Sequence, residues 1–258
     1  GPGAPDLLTL RAARLLERAD IVFHDALVHP EVIALASRAI KVEVGKRCGR
    51  LSTAQRFINK RLVEAARRHE TVVRLKGGDP MLFGRAQEEI DALEAEGIAV
   101  EIVPGISAAF AASADLGRSL TRRGTSRSVA FVTPSVGEGE ARHDWARPAA
   151  AVDTVALYMA SRRADEIAEG LIAQGLPADR PAVLVESASM AGRRIHATTL
   201  RSLPEAAARL GDGPALLLVG EVYAGLAQAH MRDGAGEPAE GCTVEFLPEA
   251  FAARARVG

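Results

Sequence analysis

Short apolar runs alternate along the chain with segments in which apolar residues recur at helical spacing. The runs are typical of buried β-strands, and they cover residues 21–23, 40–44, 71–75, 100–103, 128–132, 154–158, 182–186, 195–199 and 215–219. Helical spacing covers residues 7–19, 86–96, 108–116, 164–174 and 203–210, and a further helix begins near Ser52. Asp6 is placed to cap the first helix. This alternation predicts an α/β fold.

Breaks in the pattern predict the domain organisation. Residues 120–126 are polar and basic and contain no acid, which favours a linker between domains. We therefore expect an N-terminal α/β domain with the substrate cleft in residues 1–122 and a C-terminal α/β domain in residues 123–228. The composition then turns polar, so residues 229–258 are expected to form a peripheral tail. Glycines and a proline in residues 136–150 predict a surface loop.

The loop that follows residues 71–75 is the clearest candidate for a ligand site. Gly77, Gly78, Asp79 and Pro80 stop the strand and leave backbone amides uncovered. Such loops lie at the carboxyl ends of strands in open α/β sheets, where small ligands bind. A plain strand-turn-helix connection is compatible with the same residues. Asp25 also follows a predicted strand. Its side chain either faces a cleft or forms an ordinary turn or helix cap.

Composition excludes several function classes. Aromatic residues make up 4% of the 258 residues, too few for base-stacking platforms, and the net charge of −1 argues against coating nucleic acid or a membrane. No apolar run is long enough to span a bilayer, and no signal peptide is recognisable. Cys48 and Cys242 lie far apart without a pairing pattern, which favours the reducing cytoplasm. The histidines show no ligand spacing, so no metal site is expected.

Basic charge is concentrated in one part of the chain. Residues 38–76 contain twelve Lys or Arg and three acids, whereas residues 79–101 contain seven acids and Arg85 alone. The concentration indicates an anionic partner, although part of it belongs to the wet face of the helix near Ser52. The glycines and cations of residues 45–50 follow a predicted strand and can present several donors to carboxylates or phosphates.

Taken together, these motifs resemble the tetrapyrrole methylase family over residues 1–226. The resemblance rests on Gly-Pro-Gly-x-Pro-Asp-Leu-Leu-Thr-Leu at residues 1–10, His-Asp-Ala-Leu-Val at 24–28, Gly-Lys-Arg-Cys-Gly at 45–49, Val-Arg-Leu-Lys-Gly-Gly-Asp-Pro at 73–80, Phe-Gly-Arg at 83–85, Pro-Gly-Ile-Ser-Ala at 104–108, Tyr-Met at 158–159 and Gly-Glu-Val at 220–222. The Gly-Lys-Arg and Arg-Leu-Lys-Gly-Gly-Asp-Pro strings are most similar to the members that methylate uroporphyrinogen III.

The resemblance implies a fold, a reaction and a set of cofactor contacts. It implies two α/β domains with S-adenosylmethionine in the cleft between them, and a homodimer. The implied reaction is C-methylation of uroporphyrinogen III to precorrin-2, by two methyl transfers without a metal, in cobalamin and sirohaem biosynthesis. The implied cofactor contacts are mostly small or loop residues: Pro2, Gly77, Gly78, Asp79, Ser107, Ala108, Met159, Ala188 and Ala215.

The resemblance also implies which residues meet the substrate. Asp25 matches the family's cleft aspartate, which implies a catalytic role on the pyrrole proton or the ring N–H groups. Because the substrate resembles a wheel of carboxylates, cations are expected around it. The implied substrate contacts are Lys46, Arg47, Arg50, Lys76, Arg85, Arg122 and Arg123.

Three departures from the family pattern leave alternatives open. Arg122 stands where relatives usually have histidine, and Pro134-Ser135 stands where they have Gly-His. The strand expected before Gly1 is missing from the sequence, which would leave a sheet position empty. One alternative is a methylase that acts on another tetrapyrrole, a corrin precursor, or on a modified protein residue. The other is a ligand-binding relative without turnover.

Overall fold

The structure, a computed structural model, describes residues 1–44, 52–137, 141 and 143–226. Its strands form a three-stranded and a five-stranded sheet, each packed against helices, which confirms the predicted α/β class. Three predicted substrate contacts, Lys46, Arg47 and Arg50, lie outside the described residues, as does the predicted tail of residues 229–258. The proposed domain boundary stays a prediction.

The first sheet is parallel throughout and is built from the beginning of the chain. β1 (Ile21–His24) lies between β2 (Ile40–Glu43) and β3 (Val72–Leu75). Because all three strands run the same way, their carboxyl ends meet at one edge of the sheet. The helices of this region are α1 (Leu10–Arg18), α2 (Pro30–Ala34), α3 (Ser52–Ala66) and α4 (Ala86–Glu94).

The second sheet is mixed. Its strands are β4 (Val129–Val132), β5 (Thr154–Leu157), β6 (Pro181–Glu186), β7 (Arg194–Thr199) and β8 (Ala215–Gly220). Their spatial order is β4-β5-β8-β6-β7, with β4 parallel to β5 and the other pairs antiparallel. The helices of this region are α5 (Ala108–Leu116), α6 (Ala146–Ala150), α7 (Ala164–Ala173) and α8 (Leu203–Ala207).

Both faces of each sheet pack against helices, as the mostly apolar strands require, although β2 stays largely exposed. In β1, Val22 packs with Leu16 of α1 on one face, and Phe23 packs with Leu62 of α3 on the other. In the second sheet, Leu217 belongs to the cluster under α7 and α8, while its neighbour Leu218 belongs to the cluster under α5. Alternation along the strand therefore fixes which helix each apolar residue meets.

The register of the second sheet brings several strand ends to one edge. Leu157 at the end of β5 is level with Leu217, and Glu186 at the end of β6 is level with Ala215 at the start of β8. The carboxyl ends of β4, β5 and β6 therefore share an edge with the start of β8. We call this end of the second sheet, where β4, β5 and β6 end and β8 begins, the loop edge. Thr154, at the start of β5, lies at the opposite edge.

One predicted strand is wrong. Residues 100–103 are apolar and β-branched, but they form no ladder with another strand in the described part of the chain. A strand exists only where a neighbour exchanges hydrogen bonds with it. Here a cavity of about 470 Å³ separates the segment from β3, and Val73 and Ile102 both line it. The edge of β3 that faces away from β1 is consequently unpaired among the described strands.

Other boundaries also differ from the predictions. Thr9, not Asp6, caps α1, because residues Pro5–Leu7 form a 3-10 turn and the Thr9 hydroxyl accepts from the amide of Ala12 at 3.3 Å. The predicted loop of residues 136–150 ends in α6, whose start is marked by the buried Trp145. The remaining predicted strands and helices are confirmed within a few residues at each end.

Candidate functional site

Two loops, the one after β3 and the one before α5, approach each other more closely than side chains would allow. A Cβ placed on Gly105 would overlap the carbonyl oxygen of Gly78, and one placed on Gly78 would lie 2.8 Å from the Cα of Gly1. Gly78 also has φ +84°, a conformation that favours glycine. The loop after β3, the loop before α5 and the first residues of the chain therefore meet backbone to backbone.

Asp79 ties two of these loops together. Its Oδ1 accepts from the amide of Met81 at 2.9 Å, and its Oδ2 accepts from the amide of Gly105 at 3.0 Å. Both oxygens are thus used within the protein, so the side chain fixes the shape of the loops. Asp79 is a predicted cofactor contact. In the structure its carboxylate also stabilises the two loops.

We expect Asp79→Asn to lower the free energy of unfolding by about 1–3 kcal/mol, because the amide nitrogen cannot accept and one loop N–H loses its partner. Urea denaturation measures the change. Asp144→Asn is the matched control, since Asp144 accepts from the amide of Arg147 at a helix start, where asparagine caps equally well. Equally small changes in the free energy of unfolding of both variants would contradict the role of Asp79 in joining the loops.

The first residues of the chain are also bonded to the loop after β6. The amide of Gly3 donates to the carbonyl of Ala188 at 3.1 Å and to the hydroxyl of Ser189 at 3.0 Å, which also accepts from Ala4 at 3.0 Å. The Ser189 amide in turn donates to Asp115 at 2.6 Å. Residues 1–4 consequently bridge the glycine loop of the first sheet and the loop edge of the second.

A third contact joins the start of α5 to the end of β5. The Tyr158 hydroxyl is hydrogen-bonded to the Ser107 hydroxyl and accepts from the amide of Ala109 at 3.2 Å. Burial raises the pKa of the Tyr158 hydroxyl, so it remains protonated at neutral pH. Its ring lies 5.1 Å from that of Phe83. Met159, the next residue, is 55% exposed.

Several residues around these contacts adopt left-handed backbone conformations although they are not glycine. Non-glycine residues with positive φ are uncommon and mark strained positions, often at binding sites. In the described part of the chain they are Phe83, Arg85, Met159, Ser187 and Ser189, with φ between 51° and 66°.

The contacts bring the predicted cofactor residues to adjoining loop ends. Pro2 lies between Gly1, which touches Gly78, and Gly3, which is bonded to Ala188. Ser107 and Ala108 lie beside Tyr158 and hence Met159, while Ala215 begins β8 at the loop edge. Small side chains and backbone groups dominate this surface, so it suits a ligand held by the main chain and by close packing. Sequence reasoning missed Ser189, for which no motif gave a signal.

Asp25 belongs to a cluster of four charged residues at the edge where β1 and β3 end. Its Oδ1 accepts from Nη2 of Arg74 at 2.5 Å. Nε of Arg74 donates to Oε1 of Glu89 at 3.1 Å, and Nζ of Lys76 lies 3.0 Å from Oε2 of Glu89. We call Asp25, Arg74, Lys76 and Glu89 the charge quartet. Its two acids and two bases balance, which allows the charges to be buried together.

The structure does not support Lys76 as a substrate contact. It was expected to bind the substrate, but its side chain is 7% exposed and donates to Glu89 and to the carbonyl of Gly84. Burial is the main cause that lowers the pKa of the Lys76 ammonium, with the charge of Arg74 second. Lys76 therefore holds the interior of the site rather than offering a cation to a ligand.

The structure separates the other predicted substrate cations. Arg85 lies near the quartet at the start of α4 and pairs with Glu88 at 2.6 Å. Arg122 and Arg123 lie away from the quartet. The Arg122 carbonyl accepts from the amide of Ser126 at 2.8 Å. Ser126 is bonded to Thr154 at 2.8 Å, at the edge opposite the loop edge. The expectation that Arg122 and Arg123 face the same cleft is not supported by this geometry.

Within the described ranges, His, Cys, Asp and Glu form no group of three or more that could hold a metal ion. None of the described helices has the length and apolar character that crossing a bilayer demands.

The chain matches known proteins over most of its length. The profile of the tetrapyrrole (corrin/porphyrin) methylases matches residues 1–204. The siroheme synthase of Pseudomonas paraeruginosa is 43% identical over 224 residues, and that of Nitrosococcus oceani is 42% identical over 228 residues. These matches cover 86% and 87% of this chain and 48% of each relative. The chain thus spans about half the length of the curated relatives it matches.

Solved structures show the same similarity. A uroporphyrin-III C-methyltransferase from Thermus thermophilus, in complex with S-adenosylhomocysteine, superposes with a TM-score of 0.75 and 41% identity, covering 86% of this chain and 94% of that one. A cobalt precorrin-4 methyltransferase gives a TM-score of 0.76 and 28% identity, covering 86% and 92%.

Proposed function

Because the chain belongs to the tetrapyrrole (corrin/porphyrin) methylase family, we propose that it transfers two methyl groups from S-adenosylmethionine to carbon atoms of uroporphyrinogen III and forms precorrin-2. The observation that carries the proposal is the position of Asp25. It follows His24, which is level with Leu75, so its carboxylate stands beside the glycine loop that follows β3. The similarity to the Thermus thermophilus enzyme supports the choice of substrate.

The loop ends fit S-adenosylmethionine. The glycines at 78 and 105 allow the loop after β3 and the loop before α5 to pack backbone to backbone, and Met159 exposes a flexible apolar side chain. When bound, the cofactor would supply an activated methyl group on its sulfonium sulfur. The residues proposed to hold it are Pro2, Gly77, Gly78, Asp79, Ser107, Ala108, Met159, Ala188 and Ala215.

The side chains of this chain have two tasks in the proposed reaction. Arg85, with Lys46, Arg47 and Arg50 from outside the described residues, binds the substrate's carboxylates. Asp25 accepts hydrogen bonds from ring N–H groups or takes the pyrrole proton. Holding the ring carbon in line with the methyl donor is the larger part of the task, since placement alone lowers barriers by about 7–11 kcal/mol.

A methylase of another tetrapyrrole is the second candidate, and one observation favours it. The segment that departs from the family pattern, Pro134-Ser135, reaches the proposed cofactor site: the Ser135 hydroxyl donates to the carbonyl of Met159 at 3.2 Å. A change there alters the wall of the cleft. The similarity to the cobalt precorrin-4 methyltransferase is compatible with this reading.

Anaerobic incubation with S-adenosylmethionine and enzymatically generated uroporphyrinogen III tests the proposal. We expect the product mass to rise by two methyl groups, with S-adenosylhomocysteine released in a twofold molar amount. Reactions without protein are the control. No gain in mass, together with calorimetric binding of S-adenosylhomocysteine, would favour the second candidate or a relative without turnover. Turnover of a later corrin precursor instead would identify the second candidate.

The proposal extends to assembly and pathway. We propose a homodimer in the cytoplasm whose product enters cobalamin and sirohaem biosynthesis. The name of the siroheme synthase relatives supports the sirohaem branch. Sedimentation equilibrium of the purified protein measures the assembly, and a monomer at micromolar concentration would contradict that part.

A further inference from the structure

The charge quartet leads from the interior of the protein to the cleft. The exposed fraction of the side chain rises from 5% in Glu89 to 14% in Arg74 and 35% in Asp25. A substrate in the cleft would therefore meet Asp25, while Glu89 and most of Arg74 remain beneath it. Arg74 contacts both carboxylates and so links Glu89 to Asp25.

Arg74 is held on all of its guanidinium nitrogens. Nη2 donates to Asp25 and Nε to Glu89, while Nη1 donates to the carbonyl oxygens of Leu75 at 3.0 Å and Phe23 at 3.4 Å. Because a guanidinium is planar and rigid, partners in these directions fix its plane. The oxygen of Asp25 that Arg74 binds is consequently fixed as well.

Glu89 is itself anchored by three donors. Besides Arg74, its carboxylate accepts from Nε2 of Gln55 at 3.1 Å and is paired with Lys76. Burying a carboxylate this deeply is costly unless cations and hydrogen bonds surround it. The three donors offset that cost and hold the Glu89 carboxylate against Arg74.

We propose that Glu89 and Arg74 are positioning residues for the methyl transfer: Glu89 orients Arg74, and Arg74 holds Asp25 so that its Oδ2 faces the substrate. In the described part of the chain, Oδ2 of Asp25 accepts no hydrogen bond, whereas Oδ1 accepts from Arg74. One oxygen is thus anchored and the other is available to a pyrrole N–H. The inference rests on the proposed function of Asp25.

Glu89→Gln is the first test, because it keeps the side-chain volume and removes the charge. We expect kcat to fall about 10- to 100-fold, the loss typical of a misplaced catalytic group. The KM for the tetrapyrrole and the affinity for S-adenosylhomocysteine should stay at the parent values. An unchanged kcat, or a loss confined to KM, would overturn the inference.

A double-mutant cycle separates positioning from general damage. If Glu89 acts through Asp25, the variant carrying Asp25→Asn and Glu89→Gln should be no slower than Asp25→Asn alone. Losses that multiply would show that Glu89 acts independently of Asp25 and would overturn the inference. Arg74→Lys should resemble Glu89→Gln, because an ammonium cannot replace the planar fork.

Two further variants provide a substitute test and a control. Gln55→Ala removes one donor to Glu89 without leaving a buried charge unpaired, so it keeps the test available if Glu89→Gln does not fold; it should lower kcat in the same direction. Glu221→Gln is the control. Glu221 pairs with Arg180 at 3.2 Å and follows Gly220, at the end of the second sheet opposite the loop edge. This variant should keep the parent kcat. A parent without turnover would refute the proposed function, whereas an active parent with an equally active Glu89→Gln refutes the positioning inference alone.

Discussion

Asp25→Asn should slow methyl transfer by about two to four orders of magnitude, the range expected for loss of a general acid-base group. Asparagine cannot take a proton, and it leaves the Arg74 guanidinium without its charged partner on the cleft side. Initial rates of precorrin-2 formation measure the effect. Calorimetry with S-adenosylhomocysteine should show parent-like binding, because Asp25 is not among the proposed cofactor contacts.

Asp20→Asn is the matched control for this variant. Asp20 precedes β1, whereas Asp25 follows it, and its carboxylate accepts from the amides of Glu70 and Thr71 at 3.0 and 2.9 Å. Its substitution should cost some stability but leave the rate per folded molecule unchanged. An Asp25→Asn protein as active as the parent would remove the catalytic assignment.

Gly105→Ala should destabilise the protein by about 1–3 kcal/mol, as overpacking does, and should abolish detectable cofactor binding. The new methyl group would overlap the carbonyl oxygen of Gly78. The loops cannot separate without breaking the bond from the Gly105 amide to Asp79. Thermal unfolding and titration with S-adenosylhomocysteine measure the two effects.

The control for this substitution is Gly192→Ala. A Cβ at Gly192 meets no atom within 4 Å, and the residue does not have positive φ. The same added methyl group should therefore leave both stability and binding close to the parent values. If Gly105→Ala behaved like Gly192→Ala, the backbone contact between the two loops would not limit the site.

Most strands and helices could be predicted because their signals are local. The apolar run of residues 71–75 and the helical spacing of residues 86–96 each correspond to an observed element. Residues 100–103 show where a local signal fails. Their composition reports burial, but the hydrogen bonds that define a strand depend on a neighbour that the segment itself does not specify.

The charge quartet was beyond the sequence analysis because it joins residues that are distant along the chain. Asp25, Arg74 and Glu89 meet only after β1 and β3 have paired and α4 has packed nearby. One signal was present: Glu89 lies three residues after Ala86 and four before Leu93, on the apolar face of α4. A charge on an apolar stripe indicates a buried partner. Its neighbour Glu88, on the wet face, carries no such meaning.

The predicted substrate cations show a different limit. Local charge identified Lys76, Arg122 and Arg123 equally well, since all three stand in basic loops. Orientation decided between them, because Lys76 turns inward to Glu89 and the Arg122 turn is attached to the far end of β5. Side-chain direction and sheet register are tertiary properties, so a count of charges cannot supply them.

The left-handed residues around the cleft bear on how this protein could be engineered. Phe83, Arg85, Met159, Ser187 and Ser189 each hold a conformation that costs a residue with a side chain about 1–3 kcal/mol. Glycine at these positions would relieve that strain, so they are natural targets for thermostabilisation. Two of them are also proposed ligand contacts, Met159 for the cofactor and Arg85 for the substrate, and the Ser189 hydroxyl accepts from the amide of Gly3. Heat resistance and ligand affinity therefore compete at Met159 and Arg85, and a selection for one is expected to erode the other.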